Sequence, residues 1–233
     1  MVYYVGRRGS LGAAKEGTRG GATTPTLWIP YNSISFDDKT VTVDSEGAFG
    51  QIADTYEAYI TKKYGEGDFE FDLDDKFIGL ILSAVAGASP STTGSTNYTH
   101  TYTLANTNQH QSLSLLVQDP NVAKMFRLAM IDKFTIKVDP EGIAKCTCSF
   151  RSAAGQDWAL TSADYTALGN KFIHSMLDFK IAATTADLAA ASELMLKSLE
   201  FTVTKNVEDH QDLGTATFLV TVNSSDLSIS SDA

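Results

Sequence analysis

The chain has 233 residues, of which 43% are hydrophobic, so it is long and apolar enough for one β-rich domain with appendages or for two small domains. Its formal net charge of −10 is uneven: residues 1–26 hold four basic residues and one acidic residue, whereas residues 27–233 hold 14 basic and 27 acidic residues. An acidic body argues against a nucleic-acid-binding surface, because phosphate contacts depend on clustered Lys and Arg.

The N-terminal segment, residues 1–26, is predicted to be a flexible arm ahead of a folded body that spans residues 27–233. Residues 6–25 are rich in Gly, Arg, Ala and Thr and show no hydrophobic periodicity, which is typical of segments that are mobile in a free monomer. Nucleic acid and an acidic neighbouring subunit are the two possible partners of the basic arm, and the subunit is the favoured one. These residues are Arg7, Arg8, Lys15 and Arg19.

Alternating apolar and polar residues predict strands through most of the body. The clearest prediction is a hairpin over residues 131–152, because its Asp-Pro-Glu-Gly segment at 139–142 is a favourable tight turn. Loops are expected at residues 87–97 and 206–214. Further strands are predicted over residues 34–36, 41–43, 56–64, 67–73, 98–104, 112–117, 172–182, 196–204 and 215–222. This pattern predicts a mainly β fold, an antiparallel β-sandwich or barrel.

Residues 68–75 read Asp-Phe-Glu-Phe-Asp-Leu-Asp-Asp, a strand with an acid at every second position. Because side chains alternate across a strand, Asp68, Glu70, Asp72 and Asp74 are predicted to share one face. The alternative for Asp74 is to cap the helix that follows. Such a row of like charges is costly unless water, a cation or a function keeps it in place. A solvated outer face, a functional negative surface, a calcium site and a glycosidase carboxylate pair are the four interpretations. The EF-hand spacing of Gly and Glu is absent.

One helix is predicted directly after the acidic strand and is expected to flank the sheets. Phe77, Ile78, Ile81 and Leu82 recur at helical spacing and are predicted to pack on the core, while Gly87 marks the end of the helix. Acidic residues before the helix are favourable at its N-terminus. This apolar stretch is about half the length needed to span a bilayer, so no membrane-spanning segment is predicted.

The sequence contains no motif that carries catalytic chemistry. Cys146 and Cys148 form a C-x-C pair without a further Cys, and a bridge between two residues on the same face of a strand would be strained, so reduced core thiols are expected. The four His residues lack the spacing of zinc enzymes, and phosphate-binding or nucleophile motifs are missing. The prediction is a protein without catalytic activity, cofactor or metal.

The order of these segments resembles the major tail tube proteins of bacteriophages with long, non-contractile tails (the siphophage type). The resemblance covers about residues 27–222. It is carried by the Leu-Trp-Ile-Pro-Tyr-Asn segment that opens the body, by the glycine-flanked acidic strand with its helix, and by the later strands and hairpin; these matches lie at residues 27–37, 65–87, 100–106, 112–120 and 131–142.

The resemblance implies a β-sandwich flanked by a helix, which assembles as rings, usually of six copies, that stack into a hollow tube. Viral DNA passes through the lumen into the host cell without specific binding, and no catalysis is expected. The implied location is the tail of the virion, with assembly in the host cytoplasm. The implied partners are further copies of the chain and the tail tip, terminator and tape-measure proteins.

On this interpretation the acidic row lines the lumen, where a charge of the same sign as phosphate lowers friction, and the basic arm orders between stacked rings. Within the same fold, the acidic strand could instead lie on the outer wall. Two other functions stay open at this point: a tube protein of a contractile tail or of a type VI-like secretion system, and a calcium- or carbohydrate-binding β-sandwich module.

Overall fold

The computed structural model describes residues 8–46, 50, 55–166, 169–184, 186–211, 218–222 and 226–232. Within these ranges the fold is mainly β, as predicted, with one α-helix, α1 (Ile78–Ala86), and a short 3-10 turn (His174–Met176). The strands are β1 (Ser10–Lys15), β2 (Leu27–Ile29), β3 (Tyr31–Glu46), β4 (Thr55–Asp72), β5 (Ser91–Thr93), β6 (Thr99–Thr101), β7 (Leu113–Gln118), β8 (Ala123–Val138), β9 (Lys145–Ala153), β10 (Gln156–Trp158), β11 (Ser198–Thr204), β12 (Val207–Gln211), β13 (Phe218–Val222) and β14 (Asp226–Asp232).

Ten of these strands form two antiparallel layers that share the long strand β8. The first layer runs β2-β1-β7-β8, with β10 on the other side of β8; the second layer runs β3-β4-β9-β8-β11-β14. Strand β8 changes layers near Leu128, which has a positive φ of 56°. The two remaining pairs, β5–β6 and β12–β13, are separate hairpins.

The main core lies between the two layers. Leu11, Ile29 and Leu115 of the first layer join Phe69 and Phe134 of the second layer in one buried cluster. The predicted alternation of β4 is confirmed, because its Phe side chains enter this core while its acids do not. Both Cys thiols are free and fully buried in the same cluster, with their Sγ atoms 3.8 Å apart, in agreement with the prediction of reduced core thiols.

Helix α1 occupies the predicted place. Phe77 and Ile81 are buried, and Ile78 and Leu82 are half-buried against the same core, so all four predicted core residues of the helix contact it. The helix ends at Gly87 (φ 81°), whose N–H donates to Ser83 O at 3.0 Å. A side chain there would strike the ring of His110. The first turn holds no acidic residue.

The N-terminal segment differs from the expected arm. Ser10–Lys15 forms β1, which pairs with β2 and β7 in the middle of the first layer, and Leu11, Ala13 and Ala14 are fully buried. The segment lacks hydrophobic periodicity because its strand is made of small residues that fit beneath neighbouring side chains. A Cβ on Gly12, for example, would lie 2.7 Å from Pro25. The folded body therefore begins before the expected boundary at residue 27.

Other differences concern the C-terminal third. The strand predicted over residues 172–182 is wrong, since the structure has isolated bridges and the 3-10 turn there. The loop expected at 206–214 contains β12, which pairs with β13, and β14 was not predicted. Only residues 99–101 of the strand expected at 98–104 form β6. Along the part of the chain that the structure describes, no helix is long and apolar enough to cross a membrane.

Candidate assembly surfaces

The outward face of the second layer is polar. Asp68, Glu70 and Asp72 of β4 lie on this face as predicted, opposite the buried Phe69 and Phe71. Asp68 is exposed, and Glu70 and Asp72 are half-buried. The face continues across the register onto β9, β8 and β11, where Thr, Ser and Lys side chains stand opposite the acids.

Two lysines, one on the neighbouring strand β9 and one in the segment after β10, offset the acidic row. Lys145 of β9 lies 3.4 Å from Glu70 Oε1, and Lys171 pairs with Asp72. The same carboxylate of Asp72 accepts a hydrogen bond from Asn32 Nδ2 at 2.8 Å. Partial burial would raise the pKa of Asp72, but the hydrogen bonds from Lys171 and Asn32 outweigh it and hold the pKa below its usual value. The row is therefore stabilised by cross-strand charge pairing.

Asp74 does not belong to the row, so the prediction that it shares the face is wrong. The chain leaves β4 after Asp72 and turns toward the helix, which buries Asp74 to 3% exposure. Its Oδ1 accepts a hydrogen bond from Lys76 N at 2.7 Å, and its backbone bridges Lys171. Asp74 stabilises the turn into α1.

The acidic strand gives no support to the calcium interpretation. Within the ranges that the structure describes, no group of three or more His, Cys, Asp or Glu residues is placed to hold a metal ion. Cross-strand amines, rather than convergent oxygen ligands, surround Glu70 and Asp72.

The second layer has two free edges. Strand β3 pairs with β4 on one side, and β14 pairs with β11 on one side. No other strand in the described ranges covers the outer side of either strand. An uncovered edge presents backbone N–H and C=O groups that can pair with another chain.

The β3–β4 hairpin extends beyond the rest of the second layer. Residues 64–71 of β4 lie between β3 and β9, whereas residues 55–63 pair with β3 alone. We call residues 40–46 and 55–63 the distal hairpin. Among its described side chains, four large apolar ones are exposed, which are Val41, Val43, Tyr59 and Ile60. A two-stranded ribbon with exposed apolar side chains is marginally stable by itself and suits a contact with another molecule.

A charge cluster holds the base of the distal hairpin. Asp209 of β12, whose side chain is 9% exposed, lies 3.0 Å from Arg151 of β9 and also pairs with Lys62 of β4. Partial burial, followed by the nearby Arg151, lowers the pKa of Lys62. The sequence carries no signal for Asp209, because the cluster is brought together by three strands that are distant in the sequence.

The four basic residues assigned to the arm have different positions. Arg19 donates to His110 O at 2.7 Å and to Val220 O, and Lys15 bonds Ser89. Arg8 is exposed, and Arg7 lies outside the described residues. The bonds of Lys15 and Arg19 are made within the chain itself, so these two side chains attach the N-terminal segment to its own body.

Glu16 is the residue that explains this attachment. It is 3% exposed, and its carboxylate accepts hydrogen bonds from Ser112 Oγ (2.5 Å), Ser114 Oγ (3.0 Å), Leu128 N (2.7 Å) and Gly20 N (2.7 Å). The bond to Leu128 lies where β8 changes layers. The only signal in the sequence was that Glu16 is the single acid in the basic segment.

A buried amine lies under the end of the helix. Lys205 is 1% exposed, and its Nζ donates to Ala84 O at 2.7 Å and lies 3.5 Å from His110 Nδ1. Burial is the main cause that lowers the pKa of Lys205 to about 7, with Asp132 opposing the change and Arg19 adding to it. Burial and the charge of Lys205 also lower the pKa of His110.

In a comparison with known protein families, the model of the phage tail tube protein family matches residues 6–231 of the chain. No curated protein matches the chain. The matched range covers both layers, the helix and the N-terminal strand. The chain therefore belongs to the phage tail tube protein family and is a structural protein that assembles with itself into the tube of a virion tail.

Proposed function

We propose that this tail tube protein forms closed rings that stack into the hollow tube of a long, non-contractile phage tail and that the tube conducts viral DNA into the host cell. The observation that carries the proposal is the second layer, which has one face on the core, one polar face and two free edges. Assembly in the host cytoplasm and contacts with tail tip, terminator and tape-measure proteins follow from this role.

Ring closure follows from the two edges. Strands β3 and β14 lie at opposite ends of one six-stranded layer. If β14 of one copy pairs with β3 of the next, the contact is heterologous, and a rotation that closes produces a ring with a continuous barrel. Rings of six copies are the arrangement that the family resemblance favours. Closure also removes the free edges.

The polar face then lines the lumen. Acids on β4, including Asp68 and Glu70, stand beside a strip of lysines on β8 and β9, including Lys133 and Lys145. The acidic strand alone predicts an entirely negative lining. With the lysines of β8 and β9 included, strips of acidic and basic side chains would alternate around the ring. Because Lys145 is paired with Glu70 and Lys171 with Asp72, acids and lysines offset each other over much of this face, which favours passage of DNA without retention.

Stacking is assigned to the distal hairpin. It projects past β9 and exposes Val43 and Tyr59 directly opposite each other. Contact with the next ring would bury these side chains and order the ribbon. The hairpin replaces the basic arm in this role, because Lys15 and Arg19 are bonded within their own subunit.

The test changes the sign of the lumen face. The variant Asp68→Lys with Glu70→Lys leaves Asp72 and its bonds to Asn32 and Lys171 intact, and Asp119→Lys with Asp157→Lys is the control at two exposed acids elsewhere. We expect both to form tubes in electron microscopy. Only the first should retain DNA and slow ejection, most strongly at low salt, where screening is weakest. Equal ejection by the two variants would place the face outside the lumen.

A further inference from the structure

One segment exposes more aliphatic surface than a free-standing subunit needs. We call residues 172–184 and 186–197 the aliphatic loop. Met195 is 98% exposed, Ile181 65% and Met176 64%. The other exposed members are Ile173, Leu177, Leu188 and Leu194. Exposed single apolar residues are ordinary, but a concentration of this kind marks a contact surface.

The aliphatic loop has a defined position on the subunit. Ile173 bridges Ile143, Lys180 bridges Glu193, and Leu194 N donates to Phe179 O at 2.9 Å. These contacts fold the loop back on itself without covering its aliphatic side chains. The exposed aliphatic side chains therefore lie on a segment whose position is fixed by backbone contacts.

The aliphatic loop is continuous with a free edge of the second layer. It borders a mainly apolar groove of about 170 Å³ whose lining includes Val138, Leu177, Leu194 and Leu199, with the polar Asp139, His174 and Lys197 also lining it. Leu199 belongs to β11. The first residue of β11, Ser198, pairs with Asp232 of the edge strand β14. The loop, the groove and the edge thus form one surface.

We propose that the aliphatic loop and its groove bind a second copy of this chain, as the apolar part of the interface between neighbouring subunits of a ring. The inference rests on the proposed function, and it deepens it by naming the side chains that set the lateral contact. Backbone pairing of β14 with β3 carries little sequence information and can slip in register. Aliphatic side chains that fit one position on the neighbour would select one register and hence one closing angle.

The chemistry of the aliphatic loop favours a second copy over other partners. Its range contains Lys180 and Lys197 against Asp178, Asp187 and Glu193. This balance gives no basic attraction to an anionic lipid surface or to nucleic acid. Aliphatic surface with few charges is typical of permanent homomeric interfaces, and the family to which the chain belongs assembles with itself.

The first experiment separates ring formation from stacking. In a background of Val43→Asp with Tyr59→Asp, which blocks the distal hairpin, subunits should accumulate as single rings. Adding Ile181→Asp with Met195→Asp should leave folded monomers and raise the concentration needed for rings by at least about tenfold, since two buried aliphatic side chains are lost. Val122→Asp with Leu160→Asp, at exposed apolar residues elsewhere, is the matched control.

The outcomes distinguish the two proposals. If the unmodified chain forms no rings or tubes, the proposed function fails. If it forms them and the Ile181/Met195 variant does so equally well, or if the control loses rings to the same extent, the aliphatic loop is not the lateral interface. Circular dichroism and thermal melting of each monomer confirm that the variants are folded.

A second measurement does not depend on a disruptive substitution. In Met195→Cys, the introduced thiol is the accessible one, because Cys146 and Cys148 are 0% exposed. Maleimide should label this thiol quickly in the monomer and at least about tenfold more slowly in rings. A tenfold slower rate corresponds to a thiol that is covered for roughly nine-tenths of the time or more. Equal labelling rates in monomers and rings would show that neighbouring subunits do not cover the aliphatic loop, and this result would overturn the inference.

Discussion

The two halves of the β3–β4 hairpin follow the same alternating pattern but have different surroundings. In the basal half, residues 31–39 and 64–71, β4 is paired on both sides, and Phe69 and Phe71 enter the main core. In the distal half, residues 40–46 and 55–63, the same two strands form a ribbon whose Val and Tyr side chains are exposed. Alternation thus predicts a strand, while neighbouring elements decide whether its apolar side chains are buried in the core or exposed.

The largest effect is expected in the basal half. Phe71→Ala removes a ring that is 0% exposed, and we expect it to lower the free energy of unfolding by about 3–5 kcal/mol, from lost burial and the cavity left behind. Urea denaturation of the monomer measures the change. A loss no larger than that of a distal substitution would remove the distinction between the halves.

Helix α1 should contribute to the same basal core. Ile81→Ala deletes most of a side chain that is 0% exposed, and the expected loss is about 2–5 kcal/mol. Denaturation monitored by circular dichroism tests it. A loss below about 0.5 kcal/mol would mean that this face of the helix is not core.

The buried amine of Lys205 tests how well the packed region excludes water. Because the pKa of Lys205 falls from its ordinary value near 10.5 to about 7, the unfolded chain binds one more proton than the native chain between these pH values. Stability should therefore rise with pH across this window, by up to about 1.4 kcal/mol per pH unit from this group.

Lys205→Met should reduce that slope, whereas Lys63→Met, at an exposed position of the distal hairpin, should leave it in place. Urea denaturation at pH 7.5, 8.25 and 9, roughly within the window, measures the slope of each variant. An unchanged slope in Lys205→Met would show that the amine is not buried in its neutral form.

The junction of the two halves should respond more weakly. Asp209→Asn removes the charge that Lys62 and Arg151 share. Because both basic side chains are partly exposed, the expected loss of stability is about 1 kcal/mol. Tube assembly should be reduced by more than this loss of stability would explain, because the distal hairpin would no longer be held at a fixed angle to the rest of the second layer. Asp157→Asn, at an exposed acid, serves as the control, and equal assembly by the two variants would contradict the role of Asp209.

The smallest effect on the monomer is expected at the distal hairpin. Val43→Ala with Tyr59→Ala removes exposed side chains, so stability should change by less than about 0.5 kcal/mol. Tube formation, followed by light scattering and electron microscopy, should nevertheless be reduced. A large destabilisation of the monomer would mean that the hairpin is packed within its own subunit.

Much of the second layer could be predicted because its signals are local. Strand β4, the hairpin at 131–152 and helix α1 each carry a regular period and a suitable turn or cap residue, such as Gly87 at the end of the helix. Strand β1 was missed because burial there depends on small residues beneath Pro25 and Trp28, which no period reveals. Residues 172–182 alternate, but among the described residues they make only isolated bridges and pair with no strand, so the predicted strand did not form.

The sequence by itself determined that the chain is mainly β with one acidic strand face and one core helix, because side-chain alternation and helical spacing depend on neighbours along the chain. Only the tertiary structure decided which lysines offset the acids, that Asp74 serves the turn, that Arg19 and Glu16 hold the N-terminal strand in the sheet, and which edges stay free. These features depend on residues that are far apart in the sequence and meet only when the layers pack.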